Sequence, residues 1–169
     1  MTQESATPEF AGVDHAALAV TDLAASERFY TGVLGFTTVL DFGAGLLLVH
    51  KRTGFTLGLM CPPDAAGGSF DHRVTGLDHL GLAAGSREEL EGWQRRFEEF
   101  GVEHTSIRDE PLGFHLHFRD PDGIALEFYT PSPVYAAALA DLRSRDVPDD
   151  EVRALAGSLL GLSDIVAER

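Results

Sequence analysis

The chain repeats itself. Val13-Asp14-His15-Ala16-Ala17-Leu18-Ala19 is echoed by Leu77-Asp78-His79-Leu80-Gly81-Leu82-Ala83 at an offset of 64 residues. Leu34-Gly35-Phe36 is matched by Phe100-Gly101-Val102 at 66, and Gly54-Phe55-Thr56-Leu57-Gly58-Leu59 by Gly123-Ile124-Ala125-Leu126-Glu127-Phe128 at 69. Order is kept while the offset drifts by five, as a duplication with small loop insertions produces. Two small modules of one topology are therefore expected within the 169 residues.

Each half reads as strand, helix and three strands. In the first, residues 13–20 alternate like a half-buried strand, and Thr21-Asp22 offers a helix N-cap. Leu23, Phe29, Tyr30, Val33 and Leu34 then recur at helical spacing up to Gly35, and strands follow at about 36–42, 46–51 and 55–61. In the second half, Ser86 and Glu89 form a capping box, and Leu90, Trp93, Phe97 and Phe100 make one apolar stripe before Gly101. Strands are expected at about 102–108, 112–119 and 123–130, with Asp120-Pro121-Asp122-Gly123 turning between the last two. The expected organisation is a first βαβββ module at 13–61, a linker at 62–76 rich in Pro, Gly and Asp, a second module at 77–130 and a C-terminal extension at 131–169. Two helices are expected there, about 134–145 and 149–167, the second with an apolar face of Val152, Leu155, Leu159 and Leu160 that caps the core or a dimer contact.

Charge narrows the partners. Thirteen basic residues face 27 acidic ones, a formal −14 at pH 7. Such a surface repels phosphate backbones and anionic lipid heads, so neither nucleic acid nor a membrane is an expected partner. No apolar run approaches the roughly 18 residues of a membrane span, and Met1 to Pro8 lacks the basic start and apolar core of a secretory signal. The single cysteine, Cys61, cannot form an internal disulfide and fits a reducing compartment, so a cytoplasmic location is expected.

Strand parity then sorts the side chains. In the last two strands one parity gives Phe114, Leu116, Phe118, Ile124, Leu126 and Phe128, a face that must pack on helices. The other gives Gly113, His115, His117, Ala125, Glu127 and Tyr129, and the first strand of that half sets Leu80 and Leu82 against His79, Gly81 and Ala83. In the first half, Leu18 and Val20 oppose His15, Ala17 and Ala19. Small and polar residues around histidines and a glutamate describe a pocket floor. Glu127, between Leu126 and Phe128, needs a cation or a donor, because an unpaired buried carboxylate is costly. Asp14 and Asp78 point away from their neighbouring histidines by the same parity and are read as strand-end turn contacts; His115 is read as structural or at the rim.

Two βαβββ halves, a histidine in each first strand and a glutamate in the last strand resemble the vicinal oxygen chelate superfamily of glyoxalases, bleomycin resistance proteins and extradiol dioxygenases. The resemblance spans residues 13–130, and Arg119-Asp120-Pro121-Asp122-Gly123-Ile124-Ala125-Leu126-Glu127 carries it most specifically. It implies an α+β fold in which the duplicated modules form an incomplete mixed β-barrel around a divalent metal. By the resemblance, His15, His79 and Glu127 stand where three metal ligands come from. A set of two imidazoles and one carboxylate points to Fe(II) or Mn(II) first, with Zn(II) or Ni(II) behind. The position of the superfamily's fourth ligand is Gly58, which cannot ligate, so three-ligand members match better. His117 stands where the dioxygenases carry a tyrosine; it and Tyr129 are the candidate catalytic groups, His117 as acid/base or donor.

The implied function is a metal-dependent enzyme, dioxygenase-like or a glyoxalase-like lyase or isomerase, that chelates a small substrate through adjacent oxygens. A homodimer is implied too, with the site formed within one chain or across the pair. Two other readings stay open: a metal-free binder sequestering a cationic antibiotic, which the charge suits, and an interaction module whose acidic surface and C-terminal helices dock a partner.

Overall fold

The computed structural model describes residues 11–65 and 67–160. Met1 to Pro8 and residues 161–169, the end of the expected last helix, lie outside the described residues. The chain parts into two compact units between Ser69 and Phe70, each with one copy of the repeat.

In the first unit, β1 (His15–Ala19) leads through α1 (Leu23–Arg28) to β2 (Thr37–Asp41), β3 (Gly45–Val49) and β4 (Thr56–Met60). The sheet order is β1-β4-β3-β2. The second unit repeats this with β5 (Leu80–Ala83), α2 (Arg87–Phe100), β6 (Arg108–Glu110), β7 (Gly113–Arg119) and β8 (Ala125–Pro131), ordered β5-β8-β7-β6. In each sheet the first and last strands pair in parallel and the other neighbours antiparallel. A parallel pair needs a long crossover, and each module's helix lies within it.

The registers establish the duplication residue by residue. Ala17 pairs with Gly58 in β1–β4, and Gly81 with Glu127 in β5–β8. Leu47 pairs with Gly58 in β3–β4, and His117 with Glu127 in β7–β8. Gly58 is thus the structural twin of Glu127, as the offset of 69 requires, and Leu47 is the twin of His117.

Local chemistry places these elements. Asp22 caps α1 by accepting from the Ala25 N–H at 3.0 Å. Ser86 caps α2 by accepting from the Glu89 N–H at 3.2 Å, and Gly101 ends it in the left-handed region at φ 64°. In the turn before β8, Asp120 Oδ1 accepts from the Asp122 and Ile124 N–H groups at 3.0 and 2.8 Å. Leu116, Phe118, Leu126 and Phe128 are buried beneath Leu90 and Phe97 of α2. Aromatic packing knits this layer, with Trp93 stacked on Phe128 at 4.4 Å and Phe97 against Phe118 at 4.5 Å between centroids.

Two elements differ from the sequence expectation. The first helix stays α-helical only to Arg28, and Phe29–Val33 form a wider π-helical turn. The Thr31 hydroxyl donates back to the Glu27 carbonyl at 2.7 Å, and the wider turn lets Phe29, Tyr30, Val33 and Leu34 all be buried. The strand expected at 102–108 is broken. His104 forms an isolated bridge to Phe118, Thr105 pairs with His117 through its N–H at 2.9 Å, and a short β6 begins at Arg108.

Beyond β8, Ser132 caps α3 (Pro133–Ser144), and α4 spans Asp149–Leu160. Arg145 after α3 pairs with Asp141 and Glu151, clipping the two helices together. Among the described residues no helix is long and apolar enough to cross a membrane.

Phe97 is fully buried at the centre of the aromatic layer. Phe97→Ala is expected to lower the stability of the second unit by about 3–5 kcal/mol. The fluorescence of Trp93, the sole tryptophan, reports it as an earlier urea midpoint.

Candidate metal centre

Glu127 is the third residue of β8, flanked in register by β5 on one side and β7 on the other. Its neighbours Leu126 and Phe128 point to the apolar layer, so alternation turns the carboxylate to the opposite face. It is 6% exposed. Burying an ionised carboxylate there costs several kcal/mol unless partners compensate.

The partners are imidazoles. His115 Nδ1 donates to Glu127 Oε1, and His117 Nε2 lies 3.7 Å from the same oxygen. His79 Nε2 lies 3.4 Å from the other oxygen, Oε2. Among the described residues these three histidines are the ion-pair partners of Glu127. One donor atom each from His115, His117 and Glu127 lie within 4.8 Å of one another, a possible metal-binding triad.

The donor set fits a divalent first-row metal. Imidazole nitrogen and carboxylate oxygen are borderline ligands suited to Fe, Mn, Zn or Ni. Donors about 2.1 Å from a common ion stand roughly 3.0–3.4 Å apart, the range of the His79–Glu127 separation. Gly81, opposite Glu127 on β5, keeps the approach to Oε2 open: a Cβ built there would lie 3.6 Å from that oxygen, and longer side chains would reach over it.

The structure brings together His79, His117 and Glu127 of the residues singled out from sequence, and adds His115. His79 immediately precedes β5 rather than lying within it. His15 is the first residue of β1, in the first unit, where its Nδ1 meets Asp14 Oδ2 at 3.0 Å. The hydroxyl of Tyr129 donates to the Leu112 carbonyl at 2.7 Å, and its ring lies 4.8 Å from that of His115. Burial raises the Tyr129 phenol above its ordinary pKa, with Tyr135 and Glu127 adding to it. Burial likewise holds His117 below the usual imidazole value; Glu127 opposes this, and Arg108, His115 and His79 reinforce it.

His115, read as structural or at the rim, is in direct contact with Glu127, sharing the parity of His117 one ladder step away. One expectation needs correction. Asp14 and Asp78 were expected to point away from their histidines. Each instead meets its neighbour's Nδ1, Asp78 Oδ1 lying 2.7 Å from His79 Nδ1. Strict alternation fails here because each pair sits where the chain is only entering the ladder.

Comparison with known proteins agrees with this architecture. A family model described as the Glyoxalase/Bleomycin resistance protein/Dioxygenase superfamily matches residues 12–128, and the chain belongs to that superfamily. No curated protein matches it. Among solved structures, it is similar to a glyoxylase/bleomycin resistance protein/dioxygenase domain from Frankia sp. EAN1pec, with 29% identity and a TM-score of 0.68 over 74% of this chain and 95% of that one. It shares its fold with lactoylglutathione lyase from Agrobacterium tumefaciens, at 24% identity and a TM-score of 0.60 over 73% and 96% of the two chains. The fold is shared too with a mutant of the fosfomycin resistance protein FosX from Listeria monocytogenes, in complex with Mn(II) and 1S,2S-dihydroxypropylphosphonic acid, at 20% identity and a TM-score of 0.60 over 78% and 99%. The α+β, glyoxalase-like fold is thereby established.

Glu127→Gln keeps the side chain's shape and removes its charge. It is expected to weaken Mn(II) or Zn(II) binding by more than about a hundredfold, beyond what loss of an outer-shell partner causes, as equilibrium dialysis would show.

Proposed function

We propose that the chain is a metal-dependent enzyme acting on a small substrate that presents two adjacent oxygens. The observation that carries this reading is the buried Glu127 carboxylate ringed by three imidazoles. His79 and Glu127 hold the metal; His15 enters the ligand set by resemblance alone, as the sequence twin of His79. When bound, the metal supplies positive charge that polarises the substrate oxygens and stabilises the anion formed from them.

The chain's own groups handle protons and orientation. His117, whose imidazole burial holds below its ordinary pKa, stands beside the carboxylate as the candidate acid/base group. His115 holds the carboxylate in place through its Nδ1–H. The Tyr129 hydroxyl, its own proton committed to Leu112, takes part as an acceptor for a substrate hydroxyl. The reaction is a dioxygenation, or a glyoxalase-like elimination or isomerisation, with Fe(II) or Mn(II) the preferred ion and Zn(II) or Ni(II) next. A cytoplasmic homodimer completes the proposal, the unpaired Cys61 being suited to a reducing compartment.

Elemental analysis of protein purified without chelators tests the reading, followed by turnover assays on catechols, 2-oxo acids and thiol hemiacetals. Stoichiometric metal is expected, lost in His79→Ala and sharply reduced in His15→Ala. His117→Ala is expected to retain metal and lose turnover; loss of metal in that variant would make His117 a ligand. The formal charge of −14 favours one other reading, sequestration of a cationic small molecule without metal. Metal-free wild-type protein that binds such a drug tightly would establish that reading and overturn the enzyme.

A further inference from the structure

The two modules share a detail that the ligand set does not require. In each, an aspartate directly precedes the histidine, and its carboxylate meets that histidine's Nδ1: Asp14 Oδ2 to His15 at 3.0 Å and Asp78 Oδ1 to His79 at 2.7 Å. Neighbouring residues in an extended strand point to opposite faces, so this contact is not a by-product of strand geometry. It recurs where the chain enters the first strand of each module, His15 opening β1 and His79 preceding β5. Both aspartate side chains are largely solvent-exposed, 95% for Asp14 and 73% for Asp78, so neither contact is forced by packing.

We infer that Asp78 is a positioning residue that fixes which ring nitrogen of His79 faces the metal. The inference rests on the metal-site reading above. An ionised carboxylate only accepts, so the nitrogen it contacts carries the proton. In a neutral imidazole with its proton on Nδ1, the lone pair lies on Nε2. For His79 that is the nitrogen 3.4 Å from Glu127 Oε2, so two electron-rich atoms face each other across a gap that a cation would fill. The aspartate also stops the ring from turning and makes Nε2 more basic, as outer-shell carboxylates do for metal-bound histidines. The duplication has carried the Asp-His doublet through both halves even though Glu127 and His117 have no counterpart at Gly58 and Leu47.

Two measurements test this. In metal-free protein labelled with 15N-histidine, long-range proton–nitrogen correlation should show His79 protonated on Nδ1, and Asp78→Ala should shift it toward protonation on Nε2. In a chelator competition with Mn(II) or Zn(II), Asp78→Ala should weaken binding by about 10–100-fold, with Asp78→Asn partly restored because its amide oxygen still accepts from Nδ1. The melting temperature of the metal-free protein should stay unchanged in both variants, separating positioning from folding. An Asp78→Ala protein with wild-type tautomer and wild-type affinity overturns the inference. Wild-type protein that shows the Nδ1 tautomer and binds neither ion overturns the metal reading instead, and the tautomer shift then decides the aspartate's role alone.

Discussion

A carboxylate buried at the centre of a strand organises this protein's chemistry. Glu127 has the apolar layer of the second unit behind it and is 6% exposed, so bulk water cannot offset its charge. Three imidazoles surround it, two from the adjacent strand β7 and one from the entry to β5, and of these His115 donates a hydrogen bond to it. An imidazole is a useful neighbour because it can donate, accept or bind a metal as its protonation changes near neutral pH. A lysine or arginine would hold the carboxylate equally well and would leave no place for a divalent ion. The choice of partners is what turns a stability problem into a candidate reaction centre.

The duplicated topology explains why this centre is built where it is. Parallel pairing of first and last strands brings the start of β5 beside the middle of β8, and antiparallel pairing brings β7 to its other side. The first unit has the same pairings but fills the matching positions with Ala17, Leu47 and Gly58. A Cβ on Gly58 would already lie 3.3 Å from that of Ala17, so the Ala17 methyl crowds the position that holds a carboxylate in the other unit. One scaffold thus carries two fates, a polar cluster and a plain sheet, with the Asp-His doublet left in both.

Much of this is written in short-range patterns. The alternation through β7 and β8 separates Leu116, Phe118, Leu126 and Phe128 from His115, His117 and Glu127 without reference to anything distant. The Asp120 turn and the Ser86 cap are local hydrogen-bonding devices that the residue types announce. The misses arise where geometry departs from ideal periodicity. The π-helical turn at Phe29–Val33 and the break between His104 and Arg108 depend on how buried side chains settle, which a period of 3.6 or 2 does not encode. The aspartate contacts escape a parity rule because they form at the strand entrance, and the weight of His115 depends on a cross-strand hydrogen bond.

The most direct test is an anomalous-scattering map from crystals of the full chain grown with Mn(II). The account predicts one strong peak within bonding distance of a Glu127 carboxylate oxygen and of His79 Nε2. A saturating metal concentration that leaves no peak on those atoms, or that puts the ion on other residues, would contradict it.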